Sequence, residues 1–306
     1  MPNKAKIIAI VGPTASGKTE LSIRVAHALD GEIISCDSMQ IYKKMDIGTA
    51  KPSKEEMMGI PHHIIDAAEP DSVFSCADYK ALAEEAAADI ISRNKTPIFC
   101  GGTGLYLDSV LKCGFSPNVP VGIREELSKR DADSLYEQLC SVDPISAQGI
   151  HKNNVKRVIR ALEIYIGTGR TKTEWDELSK SEESDYDPLI FGLDFENRDV
   201  LYDRINRRVD IMLENGLVDE VKNIRSKLSQ TSSQGIGYKE IIKYLDGELS
   251  FDDAVELLKK NTRNYAKRQL TYFRRNKNII WSYPDKDGKD KIFENIVNIA
   301  LKHLNN

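Results

Sequence analysis

Eight residues near the start of the chain, Gly12-Pro-Thr-Ala-Ser-Gly-Lys-Thr19, constrain its fold more than any other segment. They fit the phosphate-loop pattern G-x-x-x-x-G-K-[ST], which carries structural meaning only between a strand and a helix. Both flanks are present. Residues 6–12 are continuous, apolar and rich in β-branched side chains, as in a strand buried on both faces. Over residues 19–29, Leu21, Val25, Ala28 and Leu29 recur at helical spacing. In such a loop the glycines let backbone N–H groups turn inward around a phosphate, and the following helix presents its positive end. Lys18 adds a point charge, and the Thr19 hydroxyl can ligate Mg²⁺. Gly12, Pro13, Thr14, Ala15, Ser16, Gly17, Lys18 and Thr19 are therefore the expected phosphate cradle. Kinases, motors, switches and some transferases all use this loop, so it does not name the reaction.

Strands and helices continue to alternate after it. Residues 32–37 and 96–101 have the composition of further buried strands, residues 77–93 and 105–111 that of helices. Residues 38–61, marked by Gly and Pro, are expected to be mostly loop with a short helix. The strands lack polar alternation, as in a parallel sheet covered on both faces. The expected class is α/β: a P-loop NTPase-like parallel sheet flanked by helices, with an inserted all-helical domain. The insertion is marked by a change near Cys113. A Pro- and Gly-containing connector spans 114–122, helices alone fill 123 to about 178, and a polar, acidic loop is expected over 179–188. Buried-strand composition returns at 189–194. The expected domains are thus 1–113 with 189–306, and 114–188. Long helices are expected over 198–215, 218–228, 239–245 and 251–275, and a last short strand at 279–282.

The chain has 306 residues, 41% apolar and 29% charged, ample for a large core. Its net charge of −4 gives no global sign of a nucleic-acid binder, but leaves room for a local basic patch. The 5 cysteines are widely spaced with no C-x-x-C pair, which argues against a zinc knuckle or a disulfide framework. Neither a signal peptide nor an apolar run of membrane-spanning length is legible, so a cytoplasmic protein without a membrane partner is expected.

Asp37 closes the second strand. Ligands of open parallel sheets lie beyond the carboxyl ends of strands, so Asp37 should face the same crevice as the phosphate loop. General base, magnesium ligand and helix cap all remain open for it. The crevice carries more loop than a phosphate site needs: Asp37-Ser-Met-Gln-Ile-Tyr42, Gly48-Thr-Ala-Lys-Pro52, Pro61-His-His-Ile-Ile-Asp66 and Gly101-Gly-Thr-Gly-Leu-Tyr106. Adjacent His62 and His63 suit hydrogen bonding better than chelation of one ion. Gly101 and Gly102 suit either close approach to a ligand or a plain turn.

Two stretches are basic. Lys152, Lys156 and Arg160 are spaced four apart, as on one helix face. Residues 259–277 hold eight basic residues and no acid, interleaved with Tyr265, Tyr272 and Phe273, a composition that suits phosphate backbone and unstacked bases. Between them Arg204, Arg207 and Arg208 share a helix, one of them able to reach the phosphate pocket or to pair with neighbouring acids.

Together with Lys156-Arg-Val-Ile-Arg-Ala-Leu-Glu163, Gly235-Ile-Gly-Tyr-Lys-Glu240 and Thr262-Arg-Asn-Tyr-Ala-Lys-Arg-Gln269, these motifs make the chain resemble, over nearly its whole length, the bacterial tRNA isopentenyltransferase family, the tRNA dimethylallyltransferases. The C-terminal C₂H₂ finger of eukaryotic relatives is not seen. The resemblance implies transfer of a dimethylallyl group from dimethylallyl diphosphate to N6 of the adenosine 3′-adjacent to the anticodon, with the donor diphosphate and Mg²⁺ on a loop often described as an ATP site. It implies Asp37 as the base, with Lys18, Thr19 and Arg207 stabilising the leaving group, and Thr14 and Thr103 near the substrates. It implies tRNA contacts at Asp37, Ser38, Met39, Gln40 and Thr103, at Lys156, Arg157, Val158, Ile159 and Arg160, and at Gly235, Ile236, Gly237, Tyr238 and Lys239. The inserted helices would grip the anticodon stem, and a monomer is expected. Prenylation of free adenine nucleotides is the alternative. A small-molecule kinase and a non-catalytic RNA-binding module fit less of the chain.

Overall fold

The computed structural model describes residues 4–112, 117, 119–120, 122–181 and 184–305. Cys113, much of the expected connector and Glu182–Glu183 of the expected acidic loop lie outside them. Two compact units are present, Met1–Leu107 with Tyr186–Asn306, and Asp108–Asp185.

In the first unit, the apolar run Ala5–Val11 forms β1, and Lys18–Ala28 forms α1. Gly31–Cys36 (β2), His62–His63 (β3), Cys76–Ser92 (α2), Thr96–Gly101 (β4) and Gly104–Leu111 (α3) follow, the residues of α3 from Asp108 onward belonging to the second unit. Ile7 to Ile10 are fully buried because β1 lies inside the sheet, between β4 and the strand that returns after the second unit. Residues 38–61 contain turns and no helix. β3 was not legible either: its two residues are polar, and only pairing of Ile33 with His62 and Ile34 with His63 makes it a strand.

The second unit is helical: Ile123–Ser128 (α4), Ala132–Val142 (α5), Pro144–Gly149 (α6), Val155–Thr168 (α7) and Lys172–Ser181 (α8). Leu127, Leu135, Leu139, Val158 and Leu162 form its core. Buried Asp143 links α6 to α8, accepting bonds from Ser146 N at 3.1 Å and Thr173 Oγ1 at 2.6 Å. Lys152 precedes α7 and so does not share its face.

The chain re-enters the sheet as β5, Tyr186–Leu193, three residues before apolar composition alone suggests. Tyr186, Asp187 and Pro188 pair with Ala5, Lys6 and Ile7. The outer neighbour of β5 pairs only from Phe191 onward, so Pro188 sits on an open edge where its missing N–H costs no ladder bond. Then come Arg198–Glu214 (α9), Leu217–Ile224 (α10), Tyr238–Leu245 (α11), Phe251–Phe273 (α12), Ile280–Ser282 (β6), Pro284–Asp287 (α13) and Lys289–Asn305 (α14). The last two helices were not anticipated, although Ile292, Ile296 and Ala300 recur at helical spacing and are buried against the core around α1.

All pairs in the sheet are parallel, in the order β3-β2-β4-β1-β5-β6. Gly101 of β4 is in register with both Val11 and Cys36. The loops after β1, β2 and β4 therefore emerge side by side, and everything described below hangs on that edge.

Candidate active site

The phosphate loop closes on itself before any ligand is considered. Gly12 and Gly17 have φ of 152° and 93°, and a Cβ on Gly12 would lie 2.7 Å from the Leu193 carbonyl oxygen. Glycine is needed at both for conformation and at Gly12 for space. The N-terminus of α1 has no side-chain cap, which leaves its first amides for an anion. Lys18 Nζ donates to the Pro13 carbonyl at 2.9 Å, and burial lowers its pKa to about 8. Ser16 Oγ is buried with no hydrogen-bond partner.

Two other elements brace the loop. Arg204 of α9 donates to the Ala15 carbonyl at 2.8 Å. Gln269 of α12 accepts from Thr14 N at 2.9 Å and donates to the Gly102 carbonyl at 3.0 Å. A Cβ on Gly102 would meet Gln269 Nε2 at 2.0 Å, and one on Gly101 the Cys36 carbonyl oxygen at 2.2 Å. These glycines admit the protein's own groups.

Two cavities meet at this edge. The smaller, about 70 Å³, is polar and takes in Lys18, Thr19, Ser35, Gln40, His62 and Gln269. The larger, about 270 Å³, has apolar walls from Met39, Ile205, Val209, Met212, Ile236 and Leu258, with Lys239 and Arg268 at its margin. Thr14, Asp37, Thr49, Arg208 and Tyr265 line both. Asp37 thus stands where an anion cradle opens into an apolar chamber. Its Oδ1 accepts from Met39 N at 2.9 Å, which fixes the turn after β2. Thr103 lies behind this turn, accepting from Ser38 N at 3.2 Å. Burial, and after it the charge of Asp37, raises the Tyr265 phenol to about 12.

The other expected residues divide by burial. Arg207 is exposed. It lies two residues from both Ile205 and Val209, which are buried, and that offset is about 200° around a helix. Arg208 is the arginine that reaches the cavities, donating to Thr14 Oγ1 at 3.3 Å, whereas Arg207, the one the resemblance implies, does not line them. Gln40 donates to the carbonyls of Thr49 and Ala50 at 3.3 Å each, holding its own loop. Gly235, Ile236 and Lys239 line the chamber, whereas Tyr238 is buried and donates to Glu220 at 2.6 Å. Glu220 also accepts from Asp46, Ile47 and Gly48 N, so the pair secures the 46–48 loop. Gly237, at φ 102°, lets Glu240 cap α11.

In the helical unit, Lys156 and Arg157 are exposed and Arg160 bonds to Glu163 at 3.0 Å. Val158 and Ile159 are core residues at 1% and 8% exposure, so their side chains are not available to RNA. The basic run of α12 is likewise less free than its composition suggests. Lys259 pairs with Asp210 at 2.8 Å, Arg263 donates to Asn206 at 2.6 Å and Arg274 pairs with Asp194 at 2.5 Å. Gln269 and the wall residues Ile205, Val209, Met212 and Leu258 were not anticipated as site residues, and Arg208 was one of three arginines left open. Gln269 is an uncharged residue inside a charged run, and the wall assembles from segments far apart in sequence.

Among the described residues no group of three or more His, Cys, Asp or Glu could hold a metal. Thr19 and Asp37 are the side-chain oxygens facing the polar cavity that suit a mostly hydrated cation. Among the described residues no helix is long and apolar enough to cross a membrane.

Comparison with known proteins places this geometry. A family model described as IPP transferase matches residues 40–276. A tRNA dimethylallyltransferase of Thermoanaerobacter sp. (strain X514) is 45% identical over 98% of this chain and 99% of its own. Another, of Anoxybacillus flavithermus, is 47% identical over 98% and 96%. Among solved structures, the full-length tRNA isopentenylpyrophosphate transferase of Bacillus halodurans aligns with a TM-score of 0.74 at 44% identity, covering 99% of this chain and 97% of that one. A eukaryotic dimethylallyltransferase solved acting on tRNA aligns with a TM-score of 0.76 at 33% identity, over 88% and 70%.

Proposed function

The chain belongs to the IPP transferase family and transfers a dimethylallyl group to tRNA, and we propose that it takes the group from dimethylallyl diphosphate on the phosphate loop and places it on N6 of the adenosine 3′-adjacent to the anticodon. The observation that carries this is the junction: Asp37 and Arg208 line both the anion cradle and the apolar chamber. A substrate with a diphosphate head and a short apolar tail spans that junction, with its reacting carbon near Asp37.

An adenine amine is a weak nucleophile because its lone pair is delocalised into the ring. Asp37 accepts an N6 proton as the C–N bond forms, and negative charge grows on the oxygen that leaves carbon. Lys18, the amides at the start of α1 and Arg208 converge where that charge develops. Thr19 would hold Mg²⁺, which supplies further charge for the diphosphate and leaves Asp37 free as the base. Ile205, Val209, Met212 and Leu258 keep water from the allylic carbon. The products are N6-dimethylallyladenosine and diphosphate. The loop's occupant is the prenyl donor, with no need of ATP, because a carbon–oxygen bond breaks and no phosphoryl group moves.

The target base must leave its stack to enter the chamber. Ser38, Met39, Gly235, Ile236, Lys239 and Arg268 then contact the anticodon loop, while Lys156 and Arg157 of the helical unit hold the stem's phosphates. The protein works as a cytoplasmic monomer. Incubation of tRNA with dimethylallyl diphosphate and Mg²⁺, followed by nuclease digestion and mass spectrometry, tests the assignment. One C5 unit on the adenosine beside the anticodon supports it, and a C5 unit elsewhere or none refutes it.

A further inference from the structure

His62 lines the polar cavity with Lys18, Thr19 and Asp37, and nothing in the proposed chemistry uses it. Its Nδ1 lies 2.8 Å from the Ile60 carbonyl oxygen. A carbonyl oxygen can only accept, so Nδ1 carries the proton and Nε2 presents a lone pair. That Nε2 is buried and has no hydrogen-bond partner. Burial lowers the ring's pKa, which keeps the imidazole neutral near pH 7. Strand alternation gives the adjacent His63 another partner, with Nε2 2.8 Å from Glu32 on β2. The two histidines are therefore not equivalent, and His62 alone is left with an unmet acceptor.

A buried acceptor without a donor is costly, and the cavity's proposed occupant does not relieve it. A diphosphate presents acceptor oxygens, which repel a lone pair. A water bound to a divalent cation resolves this conflict. It donates hydrogens outward, and Mg²⁺ bound to phosphates retains several of its waters. Contacts of this kind orient a metal's coordination shell.

We propose that Nε2 of His62 accepts a hydrogen bond from a cation-bound water, making His62 a positioning residue that fixes the hydrated cation–diphosphate against the phosphate loop. This rests on the phosphate loop being a cation–diphosphate cradle, and the test separates the two claims. Full-length wild-type protein carrying ¹⁵N-histidine is titrated with Mg²⁺, with inorganic pyrophosphate, and with both, while calorimetry follows binding of the pair. The expected result is binding of Mg²⁺-pyrophosphate together with an upfield shift of His62 Nε2, which still carries no proton. Binding with an unmoved Nε2, or with a proton appearing on it, overturns the inference and leaves the cradle standing. No binding of Mg²⁺-pyrophosphate overturns both.

Variants supply a second readout that does not depend on turnover. With Mn²⁺ as the cation and pyrophosphate present, His62→Phe should weaken Mn²⁺ affinity by about 10- to 100-fold, read by electron paramagnetic resonance of the free ion. His62→Gln keeps an acceptor and should recover most of the loss. Wild-type Mn²⁺ affinity in His62→Phe overturns the proposal.

Discussion

The backbone N–H of Thr14 donates to Oε1 of Gln269 at 2.9 Å, across 255 residues of sequence. Through the second bond of Gln269 to Gly102, the helix α12 fixes both the phosphate loop and the turn after β4. Removing the amide leaves a part-buried donor and a buried acceptor unpaired. Gln269→Ala should lower stability by about 1–3 kcal/mol and weaken pyrophosphate binding as the loop relaxes. Urea unfolding and calorimetry check the two effects, and unchanged values in both would remove Gln269 as a brace.

Arg207 and Arg208 are neighbours with opposite fates. Arg208→Ala should reduce kcat/KM by about 10²- to 10³-fold, the loss expected for a donor aimed at developing charge. Arg207→Ala, on the exposed face, should change it by less than about fivefold. Steady-state kinetics on the pair decide which arginine faces the diphosphate.

Acid should destabilise the fold through Glu32. Hydrogen bonds from Arg93, and after them from His63, hold this buried carboxylate at about 2 against an ordinary 4.5. Because the folded pKa is the depressed one, its contribution is complete above pH 4.5 and is lost as pH falls toward 2. Arg93 is partly solvent-facing, so screening reduces the contribution to about 1–2 kcal/mol. Urea titrations between those limits should show wild type converging on Glu32→Gln as pH falls.

Binding of tRNA should weaken steeply with salt. Lys156→Ala and Arg157→Ala should each lower the log–log slope by roughly 0.7–0.9 if each contacts a phosphate. Val158→Ala should instead act on stability, because that side chain is core. Fluorescence anisotropy across a salt series, with thermal unfolding alongside, distinguishes the two kinds of effect.

The phosphate loop was legible because all its information is local: glycines, a lysine, a strand before and a helix after. β1, β2 and β4 were legible because burial on both faces leaves continuous apolar runs. Asp37 could be placed at the crevice because it ends such a run. β3 was hidden, since two histidines become a strand only by pairing with β2. Arg208 could not be told from Arg207 without the phase of α9. The apolar chamber was hidden for a similar reason: Ile205, Val209 and Leu258 read as ordinary core residues until α9 and α12 are placed beside the loop. In α12 the basic composition drew attention to charge, while the residue that touches the phosphate loop is the neutral Gln269.

The central claim is that Asp37, where cradle and chamber meet, takes the proton as the prenyl group moves. Single-turnover transfer to tRNA at saturating dimethylallyl diphosphate, with the donor dissociation constant measured separately, tests it most directly. Asp37→Ala should slow the chemical step by about 10²- to 10⁴-fold with donor affinity little changed. A variant that transfers at near wild-type rate, or that loses rate only by losing donor affinity, would contradict the account.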